Sequence, residues 1–259
     1  MVYMGSKRRY CKYIVPIIQK YIDENNIGIF IDLFCGGANL TDKINCDYVY
    51  GNDLSPSLIA LHKQAQEDFS LIPIDGNREY WDTAYADWKN IKAAMDKGEA
   101  IPPTELSLSD IGAIEWYGSF SNGGFPRGYA KPSHGRNYYQ EAYRNHKAQA
   151  ESEKYKKIIF KQGDYKRFQY QPNPHNNILY YADSPYKNTK PYAINPKFNH
   201  EEYYDWLREV SKTTPVFISE QWMPDDFEVI WEKETTRTAG KDNNFKACEK
   251  LYFIDNREK

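Results

Sequence analysis

Apolar residues change their period several times along the chain, and each change predicts an element. From Lys7 to Tyr21, Ile14, Ile17, Ile18 and Tyr21 recur at helical spacing and predict an amphipathic helix. Apolar runs near 29–34 and 47–51 read as buried strands, with a helix expected between them from about Leu40. Ser55-Pro56 opens another helix, because serine caps an N-terminus and proline is tolerated in the first turn; Leu58, Leu61 and His62 follow at helical spacing. From about Phe69 to Ala150 the alternation lapses. Pro102-Pro103, Gly112, Gly118 and Gly123-Gly124 punctuate this region, with helical stretches at Tyr85–Lys97 and Tyr138–Glu153. Strands and helices alternate again from Ile158, with strands near 178–182, 215–219 and 249–254 and a helix around 200–212. There is no internal repeat. The pattern predicts an α/β domain assembled from residues 1–66 and 155–259, interrupted by a mainly helical insert at 67–154.

Three strand ends carry candidate chemistry. Phe30-Ile-Asp32-Leu-Phe34 runs into Cys35-Gly36-Gly37-Ala38-Asn39, a tight turn whose glycines let backbone N–H groups approach a ligand with no Cβ in the way. About twenty residues after Asp32, the strand Tyr48-Val-Tyr-Gly51 ends in Asn52-Asp53, the position at which nucleotide-binding α/β proteins grip the two ribose hydroxyls. Gly-x-Gly-x-x-Gly and Gly-Lys-Ser/Thr are both missing, so the spacing points to a nucleoside without phosphates. The third end, Ile178–Ala182, leads into Asp183-Ser184-Pro185-Tyr186. An acid accepts one N–H of an exocyclic amino group, a main-chain carbonyl accepts the other, and the ring stacks on the base that bears them. Alone, this tetrapeptide is ordinary turn chemistry. Its weight comes from the nucleoside-type site earlier in the chain.

Composition narrows the class. At 259 residues the chain buries a substantial core. No run approaches the eighteen apolar residues of a membrane span and no signal peptide precedes the first motif, so a cytoplasmic protein with no membrane partner is expected. Cys11, Cys35, Cys46 and Cys248 are scattered without Cys-x-x-Cys spacing, which indicates neither a metal site nor a disulfide framework. There is no Pro-Cys pair of the kind that supplies the nucleophile for methylating cytosine C5. The net charge of −2 hides a local excess: Ser119–Tyr170 holds eleven Lys and Arg against four Asp and Glu. Lys7, Arg8, Arg9 and Lys12 form a second basic cluster. A basic run is often only a solvated face. Here Tyr129, Tyr138, Tyr139 and Tyr143, with His134 and Asn137, interleave it and suit stacking on bases or bonding to phosphates.

Taken in order, the motifs resemble those of Dam-type DNA adenine-N6 methyltransferases, in particular the compact forms carried by phages and prophages. Tyr3-Met-Gly5-Ser6-Lys7 is similar to the family's N-terminal aromatic-x-Gly-Gly-Lys, Asp32-Leu-Phe-Cys-Gly-Gly37 to its donor loop, and Asn52-Asp53 to its ribose acid. Gly123-Gly124-Phe125 with Gly128-Tyr129 resembles the Gly-rich aromatic segment of the DNA-binding insert. Gly163-Asp164-Tyr165, Asp183 to Tyr186, Phe217-Ile-Ser219-Glu220 and Glu249-Lys-Leu251 follow in the family's sequence. The resemblance implies a Rossmann-like S-adenosylmethionine-dependent methyltransferase sheet, with the insert as target-recognition domain on double-stranded DNA. It implies Asp183, Ser184, Pro185 and Tyr186 as catalytic. Tyr3, Lys7, Asp32, Phe34, Cys35, Gly36, Gly37, Asp53, Asp164, Tyr165 and Asp183 would bind the donor, with Asp32 orienting the glycine loop. Arg127, Tyr129, Lys131, Arg136, Asn137 and Tyr138 would contact DNA.

Two departures stand out. Ser184 replaces the family's first proline, leaving its carbonyl in place and held extended by Pro185. Ala38 stands where many relatives have a third glycine, a change that is tolerable unless φ is positive there. Cytosine N4, RNA and glutamine side chains remain alternative acceptors at this stage, as does a DNA-binding relative impaired by Ser184. An α/β structural protein leaves the ordered motifs unexplained.

Overall fold

Apolar side chains point to both faces of the central strands, so helices must cover the sheet on both sides. The computed structural model describes residues 1–166, 177–187, 198–238 and 244–257. Its sheet has seven strands in the order β3-β2-β1-β4-β5-β7-β6. These are β1 (Ile27–Asp32), β2 (Tyr48–Asp53), β3 (Ile159–Gln162), β4 (Asn177–Ala182), β5 (Val216–Glu220), β6 (Glu228–Thr238) and β7 (Asn244–Ile254). The first five pair in parallel, and β7 runs antiparallel to both β5 and β6. Period-two alternation divides the core. Phe30, Leu179 and Tyr181 face one apolar cluster, while Ile29, Ile31, Ile178 and Tyr180 face the other.

The first cluster is roofed by α1 (Cys11–Glu24), α2 (Pro56–Glu67), α3 (Arg78–Lys97), α4 (Leu108–Gly118) and α5 (Tyr138–Ala150), with the short α6 (Glu153–Lys156) leading into β3. The second lies under α7 (His200–Val210), through Tyr203, Tyr204 and Leu207. Trp81, Trp88, Ile91 and Trp116 belong to the same apolar cluster as Ile14 and Phe30, so the 67–154 segment shares its core with the sheet. The order in which strands are added reverses at β1: β2 and β3 lie on one side, β4 and β5 on the other. The crevice at the carboxyl ends of β1 and β4 is therefore the topological switch point, where such sheets bind ligands.

Three expectations are corrected. The β1–β2 connection carries a 3₁₀ turn, Thr41–Lys43, in place of the helix expected from Leu40. Leu40 and Ile44 pack in the cluster that α1 joins through Ile14, Ile18 and Ile22, so α1 covers the face a crossover helix would have taken. The glycine-punctuated stretch around Gly112 is the helix α4. Gly112 serves packing there: a Cβ would stand 2.3 Å from the Ser57 carbonyl oxygen, so only glycine lets α4 lie this close to α2. The strand β6 had no counterpart in the sequence reading. It is an edge strand with a register shift between Val229 and Trp231, and charges along an edge obscure its alternation.

Candidate active site

A cleft of about 740 Å³ opens at the switch point, well inside the range of ligand pockets, about 300–1,000 Å³. All fourteen residues expected to bind the donor or act in catalysis line it. Arg127 lines it too, while Tyr129, Lys131, Arg136, Asn137 and Tyr138 lie outside.

Asp32 ends β1 with its side chain buried. One oxygen accepts the Phe34 N–H (3.2 Å) and the other the Thr41 hydroxyl (2.6 Å). Both are therefore committed to shaping the loop, and burial pushes the carboxyl up to about 7. Asp53, at the end of β2, accepts the N–H groups of Gly36 (3.1 Å) and Ser55 (2.9 Å). Burial raises it to about 6, with those backbone donors opposing the rise. Gly36 and Gly37 leave room for Tyr3 as well as for a ligand, since a Cβ on either would stand 2.8 Å from that side chain. Tyr3 in turn stacks on Trp116 at 4.5 Å between centroids.

Ala38 sits at φ +54°, the condition under which an alanine is strained. Ala38→Gly is expected to raise stability by up to about 1 kcal/mol, because relief of left-handed strain outweighs the entropy glycine adds to the unfolded chain. Denaturant unfolding of the two proteins measures it; an unchanged or lower midpoint would remove the strain argument.

The acceptor end of the cleft is held by charge. The Lys7 ammonium, buried at 6 % exposure, lies 2.7 Å from Asp183 and 3.3 Å from Glu249. It also stands 4.5 Å above the Tyr186 ring, whose hydroxyl donates to Glu249 at 2.5 Å. Burial pushes Asp183 up to about 6, and Lys7 opposes this. Sequence reading placed Lys7 on the donor; the structure places it between two carboxylates at the tetrapeptide. Glu249, read from the sequence only as part of a closing strand, had no site role there although a signal existed, since an acid shares a strand face with Leu251 and Phe253. Ser184 is buried at 3 % exposure.

Opposite, Phe34, Tyr165 and Phe198 form an aromatic wall, with Phe34 5.3 Å from Tyr165 and 6.1 Å from Phe198. Asp164 stands beside it and closes its own turn by accepting the Lys166 N–H at 2.8 Å. Among the basic-segment residues, Asn137 caps α5, and Arg136 pairs with Glu141 at 2.8 Å while lying over Tyr138. Tyr129 donates to the Gly76 carbonyl and packs on Trp81. Tyr139 and Tyr143, read as interleaved stacking residues, are core instead. Tyr139 is 3 % exposed and donates to the Pro73 carbonyl, and Tyr143 packs on Phe69. Lys131 is exposed, and Arg167, another of the eleven basic residues counted in Ser119–Tyr170, lies outside the described residues.

Strand order, the antiparallel β7 and the switch-point cleft define a Rossmann-like methyltransferase sheet. The chain belongs to the D12 class N6 adenine-specific DNA methyltransferases, whose family model matches residues 3–223. No curated protein matches it. Among solved structures, SMU.472, described as a candidate methyltransferase and solved with SAH, is 11 % identical, with a TM-score of 0.34. The match covers 99 % of this chain and 56 % of that one, so the chain spans little more than half of that protein's length. No helix of the described residues is long and apolar enough to cross a membrane.

Proposed function

We propose that the chain methylates the N6 amino group of adenine in double-stranded DNA, with S-adenosylmethionine as donor. The carrying observation is that Asp183-Ser184-Pro185-Tyr186 and the Gly36–Asp53 loop pair open on one cleft. That cleft suits the donor. Five acids line it (Asp32, Asp53, Asp164, Asp183 and Glu249) against Lys7, Arg9 and Arg127, an excess fitting a cationic ligand. Asp53 would accept from ribose hydroxyls. The wall of Phe34, Tyr165 and Phe198 would hold a flat ring, with Asp164 on its amino group.

The donor, when bound, supplies an electrophilic methyl group. The chain supplies acceptors and position. A stacked adenine hides its amino group, so the base must leave the helix to reach the cleft. Asp183 and the Ser184 carbonyl would accept hydrogen bonds from the two N6–H groups and turn the nitrogen lone pair toward the methyl; the N–C bond would form as the donor's C–S bond breaks, and one N6 proton would be lost afterwards. Tyr186, its hydroxyl tied to Glu249, would stack on the base. Positioning and fixed charge carry the rate. Arg127, at the cleft, would meet the DNA backbone there, and the remaining basic residues of 67–154 would act as the target-recognition surface.

Labelled S-adenosylmethionine, unmethylated mixed-sequence DNA and nucleoside analysis of the product test this. N6-methyladenine is the expected product. N4-methylcytosine would overturn the acceptor, and retention of DNA and donor without transfer would favour a non-catalytic relative.

A further inference from the structure

Gly36 is held at both of its polar backbone groups, and both holds lead to the same helix. Its N–H donates to Asp53, and Asp53 also accepts the Ser55 N–H. The Ser55 hydroxyl meets that of Ser57 at 3.1 Å, and Ser57 donates to Glu115 of α4 at 3.0 Å. Glu115 is 3 % exposed and also accepts the Phe125 N–H. On the other side, the Gly36 carbonyl meets His62 Nε2 at 2.7 Å, and His62 Nδ1 meets the Tyr155 hydroxyl at 2.7 Å. Tyr155 then meets His146 Nε2 at 2.8 Å, and His146 Nδ1 meets the Tyr117 hydroxyl, again on α4.

A carbonyl can only accept, which fixes the direction of this second run. His62 donates from Nε2 to Gly36, so its Nδ1 accepts from Tyr155. The single Tyr155 proton is then used, so Tyr155 accepts from His146 Nε2, and His146 Nδ1 accepts from Tyr117. Both rings are fully buried and held neutral by burial, which this pattern requires. Between Glu115 and Tyr117 comes Trp116, which stacks on Tyr3, the ring lying against Gly36 and Gly37. Gln149 of α5 donates to the carbonyls of Gly37 and Ala38, each at 3.2 Å.

From this convergence we infer that Glu115, Trp116 and Tyr117, three consecutive residues of α4, position the donor loop. Donor affinity is thereby set by the helical segment as well as by the sheet. None of the three needs to touch the reacting atoms. The inference rests on the reading of the cleft as a donor site, and a single titration separates the two. Every buried link in such a run leaves an unpaired group when cut, a loss that the loop can relieve by leaving its binding geometry.

The test titrates S-adenosylhomocysteine into the full chain by calorimetry and follows melting of each variant. Tyr155→Phe removes one hydroxyl without changing shape, and Glu115→Ala removes the anchor of the other run. Each is expected to raise Kd about tenfold. Glu115→Gln, whose one oxygen can accept the Phe125 N–H while its amide donates to the Ser57 hydroxyl, restores most of the affinity. Ile91→Ala, a core substitution that also lowers the melting temperature, leaves Kd as in wild type. Nitrogen-15 spectra should show His62 as the Nε2–H tautomer. Wild-type affinity in Tyr155→Phe and Glu115→Ala, with only melting lowered, reduces the runs to packing and overturns the inference. So does an Nδ1–H His62. A wild-type chain that does not bind the probe overturns the donor reading beneath it.

Discussion

Asp183→Asn loses methyl transfer as completely as Asp183→Ala, although it alters one atom. Lys7 lies 2.7 Å from Asp183 and needs an acceptor there. An amide has one oxygen to offer. If it faces Lys7, the amide N–H₂ meets the target amino group donor to donor. If it faces the substrate, the N–H₂ meets the ammonium. Neither rotamer serves both neighbours, so the near-isostere fails where a carboxylate succeeds. Loss of one preorganised acceptor is expected to lower kcat by about 10²–10³-fold or more. Single-turnover transfer at saturating donor and DNA measures it. Folding is retained, because Glu249 remains as a partner for Lys7. An Asn variant within tenfold of wild type would remove Asp183 from the role assigned to it.

Legibility of the fold and site followed the length of the signals. The strand–turn pairs at Asp32–Gly37 and Asn52–Asp53, and the tetrapeptide after β4, are contiguous, so short stretches carried both chemistry and location. Topology then brought them to one cleft because β1 and β4 are neighbours. The residues that support them are not contiguous. Glu249 reaches Lys7 only because β7 inserts between β5 and β6, a pairing no local pattern announces. Glu115 sits on a helix whose Gly112 reads as a breaker in sequence and as a contact with Ser57 in space. Tyr139 and Arg136 show the converse. Both lie in an aromatic-basic run that reads as one surface, yet one is buried under Pro73 and the other is paired with Glu141. Sequence spacing gives residue type; burial decides which of them face out.

Lys7→Met moves the acid limb of the pH–rate profile. In the wild type, burial lifts Asp183 to about 6 while Lys7 holds it down and Glu249 lifts it further. Without the ammonium, Asp183 is left beside the Glu249 carboxylate with no cation between them, and Asp183 keeps its proton at neutral pH. A protonated Asp183 donates where it must accept. Transfer at pH 7 is expected to fall by about 10–100-fold and to recover in part at higher pH. The acid limb moves up by about one pH unit or more. Stability follows with a definite sign. A carboxyl raised above its unfolded value binds more protons folded than unfolded, so its contribution declines as pH rises toward the folded pKa. In wild type that decline ends near 6; in Lys7→Met it continues above 6, so the melting-temperature gap between the two widens from pH 6 to 8. Lys7→Arg, which keeps the charge, holds the limb near its wild-type position. A role for Lys7 in donor binding alone predicts a raised donor Kd with the acid limb unmoved, and that result would detach Lys7 from Asp183.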